Sequence, residues 1–245
     1  MMKPQLCLSS FLLVSVASCG PTVEDQIERL RAGGEEAMMA QQELLIAKGD
    51  AVPVLLAALD DEDGTAGRAA LAEVLVGLML RVDDERIAAS LKRHLVDDPD
   101  PQVRARIARE IGIHKRLDFS DAFMAAIADT SGEVRAEALT ALGFIRANLE
   151  PETLAVLSEK ARHLQNDENR EARLGARIIV ADHVEVWLTE AHKEALKGQL
   201  AAAESLYHTA IEFDPTSKKA NLKLGLYYFD NGQRTRGLDI LRDSG

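Results

Sequence analysis

Apolar residues recur at steps of three and four along most of residues 35–180, without the sustained alternation of a β-strand. Four segments with this pattern are VPVLLAALD, IAASLKRHLVDD, AFMAAIAD and LAVLSEKARHL. Pro53, Pro101 and Pro151 stand near helix starts, where the missing N–H of proline costs little. The pattern predicts an all-α protein, with an earlier helix pair over residues 35–59 that breaks at Gly49 and Asp50.

Four pairs of an acidic residue and an arginine six positions later recur along this region at intervals of about one helical repeat. The four pairs are Glu62–Arg68, Asp98–Arg104, Asp129–Arg135 and Asp167–Arg173. Successive arginines are 36, 31 and 38 residues apart, and the second and third lie in the similar runs VRARIAREIG and VRAEALTALG. A recurrence at such a period is typical of helical repeat proteins, whose units stack in a row.

These features resemble the HEAT family of helix–turn–helix repeats. The resemblance implies that the aspartate and the arginine lie at the turn and at the start of the second helix, and hydrogen-bond between neighbouring repeats. This structural ladder would comprise Asp98, Arg104, Asp129, Arg135, Asp167 and Arg173. The first unit departs from the pattern, with Glu62 for aspartate and Gly67 for valine. A shared carboxylate site is the alternative, and a structural role is preferred because the aspartates are one repeat apart, each beside an arginine.

The composition changes after about residue 181, where six of the ten aromatic residues lie in the last 65 positions. A glycine recurs after 34 residues, at positions 198 and 232. The chain then resembles the tetratricopeptide repeat pattern at Trp187, Ala191, Gly198, Ala203, Tyr207, Ala210 and Pro215, and again at Leu224, Gly225, Tyr228 and Gly232. The resemblance implies further helix hairpins over residues 181–245. Gly237 replaces the usual alanine, so we expect a less stable terminal helix.

The tetratricopeptide resemblance also implies a groove that binds a protein or peptide client. Its candidate lining residues are Glu185, Leu188, His192, Ala195, Lys219, Leu222, Leu226 and Phe229. The alternative is that these repeats only cap the HEAT-like stack. Tyr228 belongs to the repeat core, which leaves Tyr227 and Phe229 for other contacts. The apolar edge at Leu238, Ile240 and Leu241 is expected to meet a partner or a second copy of the chain, giving a homo-oligomer.

The first twenty residues, MMKPQLCLSSFLLVSVASCG, have the charge, apolar run and small residues of an export signal. The apolar run is too short to span a bilayer. Its end resembles a bacterial lipobox, which implies that Cys19 carries the lipid and that residues 1–18 are a cleaved lipoprotein signal peptide. Gly20 after the cysteine favours the outer membrane, facing the periplasm. An ordinary secretory signal is the alternative.

Charge and motifs narrow the classes of function. The chain has 245 residues and a net charge of −11, which argues against binding to nucleic acid. It has no GxSxG, HExxH, Walker or GxGxxG motif, and its six histidines are scattered. The sequence therefore predicts no cofactor, no metal site and no enzymatic activity.

The expected fold is a right-handed α-solenoid of HEAT-like hairpins followed by about one and a half to two tetratricopeptide-like hairpins. The expected divisions are a signal peptide (1–18), a lipid-anchored linker (19–34), a HEAT-like domain (35–180) and a tetratricopeptide-like domain (181–245). The expected function is that of a membrane-anchored scaffold, adaptor or assembly factor for another envelope protein. The alternatives are a self-associating structural protein and an enzyme with a site near His183, Glu185 and Glu190.

Overall fold

A computed structural model describes residues 20–61 and 65–243 of the chain. Every regular element in those two ranges is helical, and the all-α solenoid expected from the sequence is confirmed. The α-helices are α1 Val23–Ala32, α2 Gly34–Ala47, α3 Val52–Asp60, α4 Thr65–Met79, α5 Glu85–Asp97, α6 Pro101–Ile113, α7 Ser120–Ala126, α8 Gly132–Ile145, α9 Pro151–Leu164, α10 Arg170–Leu196, α11 Leu200–Phe213, α12 Lys218–Asp230 and α13 Arg234–Asp243. Short 3₁₀ turns lie at Lys48–Ala51, Leu117–Phe119 and Arg146–Asn148.

Successive helix hairpins stack side by side. Helices α4, α6, α8 and α10 pack against one another in that order and form one layer, while α5 packs beside α7 in a second layer. The hairpins α5–α6, α7–α8 and α9–α10 join the two layers. One hydrophobic core runs through the stack, from Ile27 in α1 to Tyr228 in α12. Each hairpin therefore buries its apolar residues mainly against its neighbours in the row.

Local sequence signals account for several helix starts. The carboxylate of Asp100 accepts the backbone N–H of Gln102, and Pro101 opens α6. The side chain of Asn169 accepts two backbone N–H groups at the start of α10. Because the first N–H groups of a helix have no partner inside it, these caps stabilise the helix start.

The segment predicted as a linker is partly helical, which corrects the assignment of residues 19–34. Thr22 and Asp25 form a reciprocal capping box at the start of α1. Ile27 and Leu30, one helical turn apart, are buried in the core, and α1 packs against α2 and α4. The capping signal and the three-residue apolar step are both present in the sequence and were missed there.

The predicted domain boundary at 180/181 falls inside a single helix. Helix α10 runs for 27 residues without a break, and it packs against α9 before the boundary and against α11 after it. The change in composition and the tetratricopeptide-like pattern both begin near this point, but neither signals the end of a helix. The division into two kinds of repeat domain stays a prediction.

The region that carries the lipid-signal prediction lies outside the described residues. That region comprises residues 1–18, with the apolar run, and Cys19. Glu62 of the first acidic–arginine pair also lies outside the described residues. Within the two described ranges, no helix combines the length and the apolar character that a bilayer crossing requires.

Two glycines explain the geometry of the last hairpin. A Cβ at Gly237 would lie 2.6 Å from the carbonyl oxygen of Gly225 and 2.9 Å from the backbone nitrogen of Phe229. Helices α12 and α13 therefore approach so closely that a side chain at Gly237 would push them apart. The missing side chain of Gly237 thus permits the contact between the two helices, while the lower stability expected for the terminal helix stays a prediction.

We predict that Gly237→Ala destabilises the last hairpin. Alanine gains about 1 kcal/mol in helix propensity, but overpacking at this contact costs typically 1–3 kcal/mol. Backbone hydrogen exchange in α12 and α13 should therefore become faster. Gly143→Ala in α8 is the control, because its Cβ would meet nothing within 4 Å, and it should leave stability unchanged or raise it. Slower exchange in the Gly237→Ala protein would contradict this account.

Candidate functional site

Helix α10 links the stacked repeats to the C-terminal helices and presents one long exposed face. At 1.5 Å per residue its 27 residues extend for about 40 Å. Leu174, Ile178, His192 and Leu196 are exposed on this face, because their positions fall within about 40° of one another around the helix axis. Val186 is also exposed, but it lies about 80° further round the helix than Ile178.

Helix α12 carries a second exposed strip beside the C-terminal half of α10. Leu222 is 47% exposed, Leu226 is 43% exposed and Phe229 is 39% exposed. Their spacing of four and three residues places them on one face. Nζ of Lys219 lies 2.6 Å from Oε2 of Glu185, so an ion pair joins α12 to α10 at one end of the strip. We call Leu222, Leu226 and Phe229 the α12 strip.

Two of the residues predicted to be available for contacts are buried instead. Leu188 is only 3% exposed, so it belongs to the core and cannot line an open groove. Tyr227 is buried as well, and its hydroxyl donates to the backbone carbonyl of Leu200 at 2.7 Å. The sequence pattern placed these residues on the correct helices, but their exposure depends on how the neighbouring helices cross.

The other predicted groove residues lie near the surface. His192 is exposed on α10, and Ala195 is half-buried at the last position but one of that helix. At the C-terminal edge Leu238 is exposed, while Ile240 and Leu241 are half-buried. The prediction of an apolar edge there thus applies mainly to Leu238.

A small apolar cleft lies where α8, α9 and α10 meet. Its volume is about 280 Å³. Ile179 is buried in its wall, whereas Phe144 and Val186 are about half-exposed and form its rim. Nε of Arg146 lies 2.6 Å from Oδ2 of Asp182, an ion pair that also borders the cleft.

His183 is a half-buried polar side chain that lines this cleft. Its ring makes an edge contact with Trp187 at 4.4 Å between centroids, and it lies 5.2 Å from the ring of Phe213. Burial lowers the pKa of His183, so the imidazole is neutral at pH 7. Its Nδ1 is buried and has no hydrogen-bond partner among the described residues.

The predicted ladder residues form ion pairs between neighbouring repeats. Nε of Arg104 donates to Oδ2 of Asp129 at 2.7 Å, and Nε of Arg135 donates to Oδ2 of Asp167 at 2.7 Å. Each arginine also donates to the backbone carbonyl of the aspartate six positions before it: Arg104 to Asp98, Arg135 to Asp129 and Arg173 to Asp167. Each arginine between two repeats therefore fixes its own turn and orients the next one.

The first interval of the ladder contains a histidine that the sequence analysis did not single out. Arg68 donates to Asp98, and Nδ1 of His94 lies 2.8 Å from Oδ2 of the same aspartate. The other ring nitrogen of His94 lies 2.9 Å from Oδ1 of Asp60. The spacing of four residues between His94 and Asp98 within the repeat was the available signal. Within the described ranges, no group of three His, Cys, Asp or Glu side chains is placed to hold a metal ion.

Comparison with known proteins identifies the repeat type in the middle of the chain. Residues 88–178 match the family model of HEAT repeats. No curated protein matches the chain. A solved structure that is similar, described as the complex of CpcE and CpcF of phycocyanin lyase from Nostoc sp. PCC7120, shares 22% identity and a TM-score of 0.47. The match covers 62% of this chain and 96% of that one.

The comparison corrects one expectation. The sequence analysis predicted that the chain is not an enzyme, and the similar structure belongs to a lyase, which contradicts that prediction. We therefore withdraw it. The lack of familiar catalytic motifs in a helical repeat chain does not exclude catalysis.

The buried ladder pairs yield a prediction about stability. The two hydrogen bonds from Arg135 outweigh burial and hold the pKa of Asp167 below its usual range. A lowered pKa stabilises the fold above pH about 4, and that stabilisation is lost as the pH falls through the folded-state pKa. Asp167→Asn should reduce the free energy of unfolding at pH 7 by about 2 kcal/mol and remove part of its loss below pH 4.

The control for this prediction is Asp118→Asn. Asp118 accepts two hydrogen bonds from Arg116 in the same loop and lies 3.9 Å from Nζ of Lys92 in α5, but these pairs are more exposed than those of the ladder. Its replacement should change the free energy of unfolding by less than about 1 kcal/mol. Urea unfolding at pH 7 and pH 3 measures both effects, and equal losses in the two variants would refute a special role for the ladder.

Proposed function

We propose that this chain is a lipid-anchored scaffold that holds a client protein through the exposed faces of α10 and α12. The observation that carries the proposal is the α12 strip, three large apolar side chains left in solvent at one-turn spacing. An amphipathic helix that binds another helix presents anchors at this spacing. The ion pair between Lys219 and Glu185 supplies a polar border, as rims of protein interfaces usually have.

The charge around the strip suggests the chemistry of the client. Lys223 is exposed one turn after Lys219, and because Lys219 is paired with Glu185, Lys223 supplies the basic border on this side of α12. A client helix with apolar anchors and a flanking acidic residue would complement that border. Our proposal includes the assignment of residues 181–245 to tetratricopeptide-like repeats, in which these positions of α12 are groove positions.

Anchoring at Cys19 would place the solenoid close to a membrane. Only Gly20, Pro21 and Thr22 separate Cys19 from the start of α1. At about 3.3–3.6 Å per extended residue, these three span roughly 10 Å. The acylated end would then hold α1 near the bilayer, and the client surface would lie at the other end of the row of repeats. We place the protein at the outer membrane, facing the periplasm, on the strength of Gly20.

Replacing the acylated cysteine tests the anchor. Cys19→Ala should move the exported protein from the membrane fraction to the soluble fraction, since two or three acyl chains would be lost. Fractionation and mass spectrometry of the N-terminal peptide measure the outcome. A Cys19→Ala protein that is still exported and membrane-bound would contradict lipid anchoring. Cys7→Ala is the control, because the thiol of Cys7 would leave with the signal peptide.

Crosslinking in living cells of the source organism tests the client. A photoreactive amino acid in place of Leu226 should form one major adduct with a different protein, and Leu222→Glu should abolish it by placing a charge in the strip. The same amino acid in place of Ile46, which is 75% exposed on α2, is the control and should not form that adduct. An adduct that persists with Leu222→Glu would exclude the α12 strip as the docking surface.

Self-association is the second candidate function, and the exposure of Leu238 on α13 favours it. In that case the photoreactive amino acid in place of Leu238 should crosslink two copies of this chain. An adduct of two copies from this position, with none to another protein from position 226, would favour the structural role over the adaptor.

A further inference from the structure

The ladder of arginines ends in an unfilled position on α10. Nη1 of Arg173 donates to the backbone carbonyls of Asp167 and Glu168, at 2.5 and 3.0 Å. Nη1 of Arg135 is held in the same way, by the carbonyls five and six residues before it. The other two nitrogens of Arg135, Nε and Nη2, bind the carboxylate of Asp167 at 2.7 Å each. In Arg173 these two nitrogens have no partner among the described residues.

The free edge of Arg173 is accessible from outside the chain. Arg173 is half-buried, and neither its Nε nor its Nη2 is shielded from solvent. The side chains of Arg104 and Arg135, whose forks are filled, are each only 10% exposed. Because carbonyls at the same two positions hold the planar guanidinium in Arg135 and in Arg173, the free edge of Arg173 keeps the orientation that binds an aspartate in the preceding repeat.

The surface beside Arg173 is also uncovered. The residue after the arginine is Ala105 in one preceding repeat and Ala136 in the other, and both are buried. The equivalent residue of α10 is Leu174, which is 50% exposed. Ile178 is exposed one turn later on the same side of the helix. The position that is buried in the two preceding repeats is therefore open at α10, and it carries a large apolar side chain.

The next helix turn of the chain does not fill this position. Asp214 lies in the turn before α12 and accepts the backbone N–H two residues later, as the ladder aspartates do. Its hydrogen bonds go to Thr216, and it makes no ion pair with Arg173. A cleft of about 580 Å³ lies between the turn before α10, at Asn166, and the turn at Asp214. The structure thus leaves room for a group from another molecule.

The chemistry of the free edge favours an aspartate as its occupant. Nε and Nη2 of an arginine match the two oxygens of a carboxylate with two parallel hydrogen bonds. Both filled forks of the ladder bind an aspartate in this way, and that aspartate also accepts a backbone N–H of its own turn. Arg177, exposed one turn after Arg173, adds a second positive charge to this side of α10.

A second copy of the chain is a poorer occupant than a different protein. The aspartates of its equivalent turns are Asp98, Asp129 and Asp167, and each already binds an arginine of the same chain. Asp214 is buried and is satisfied by its own turn. A second copy would therefore have to break one of these contacts before it could bind Arg173.

We propose that Nε and Nη2 of Arg173 bind the carboxylate of an aspartate in a helix turn of the client, as Arg135 binds Asp167 within the chain. The inference rests on the proposed function, since it gives the client a second contact, on the first half of α10. An ion pair at a surface contributes little by itself. Leu174 and Ile178 therefore supply the apolar contact, and Arg173 fixes the register of the client.

Crosslinking from position 178 in living cells of the source organism tests the inference. A photoreactive amino acid in place of Ile178 should form an adduct with a different protein, and mass spectrometry should find an aspartate in the crosslinked peptide. Arg173→Glu should lower the yield at least about tenfold, because it sets two carboxylates against each other. Arg170→Glu is the matched control, since Arg170 is exposed and pairs only with its neighbour Glu171, and it should lower the yield less than about twofold.

A reversed charge pair separates direct binding from damage to the turn that Arg173 holds. Replacing the client's aspartate by arginine should restore the adduct with the Arg173→Glu protein, because opposite charges then face each other again. A change in the client would not repair a folding defect in this chain. The inference is overturned by the absence of an adduct, an adduct between two copies only, equal losses in the two variants, or failure of the reversed pair. Circular dichroism spectra and thermal unfolding establish that both variants are folded.

The result can be told apart from that of the α12 strip. If position 226 crosslinks to a client and position 178 does not, the inference is wrong and the proposed docking surface on α12 stands. If position 178 gives the adduct with the expected dependence on Arg173 while position 226 gives none, the client docks at the open end of the ladder, and the α12 strip is not its docking surface.

Discussion

The stacking of one helix hairpin on the next is the constraint on which this structure depends. No hairpin can bury its apolar face alone, so α4, α6, α8 and α10 bury theirs against one another. Buried ion pairs orient each step of this stack, because Arg104 and Arg135 each bind the turn of their own repeat and the aspartate of the next. A buried pair adds little net stability compared with apolar packing, but a broken one is costly. The ladder therefore favours one stacking angle over others.

Helix α10 continues the side-by-side packing of helices into the C-terminal part of the chain. Its first half completes the last hairpin with α9, and its second half packs against α11. Since one rigid helix serves both partners, the surface presented by the stacked repeats continues onto the C-terminal helices. The cleft beside His183 and the exposed side chains of α10 and α12 both follow from this shared helix.

The sequence predicted much of the fold because the signals for helices lie in residues that are close together in the chain. Apolar steps of three and four residues, helix-starting prolines and the repeated Asp–Arg spacing all report on residues close in the chain. The glycines at 198 and 232 follow the same rule, since each adopts a positive φ just after a helix, where glycine is favoured. Even the missed helix α1 had a capping box in its sequence.

The sequence by itself determined the helices, the repeat spacing and the residues of the ladder, because these depend on local patterns and on a fixed period. Only the tertiary structure decided which side chains remain exposed. Leu188 and Tyr227 are buried and the α12 strip is not, because burial depends on where neighbouring helices cross. The cleft at His183 was likewise hidden, since it joins residues about forty positions apart. The close approach of α12 and α13 at Gly237 could not be predicted from the sequence either, because it depends on the position of the neighbouring helix.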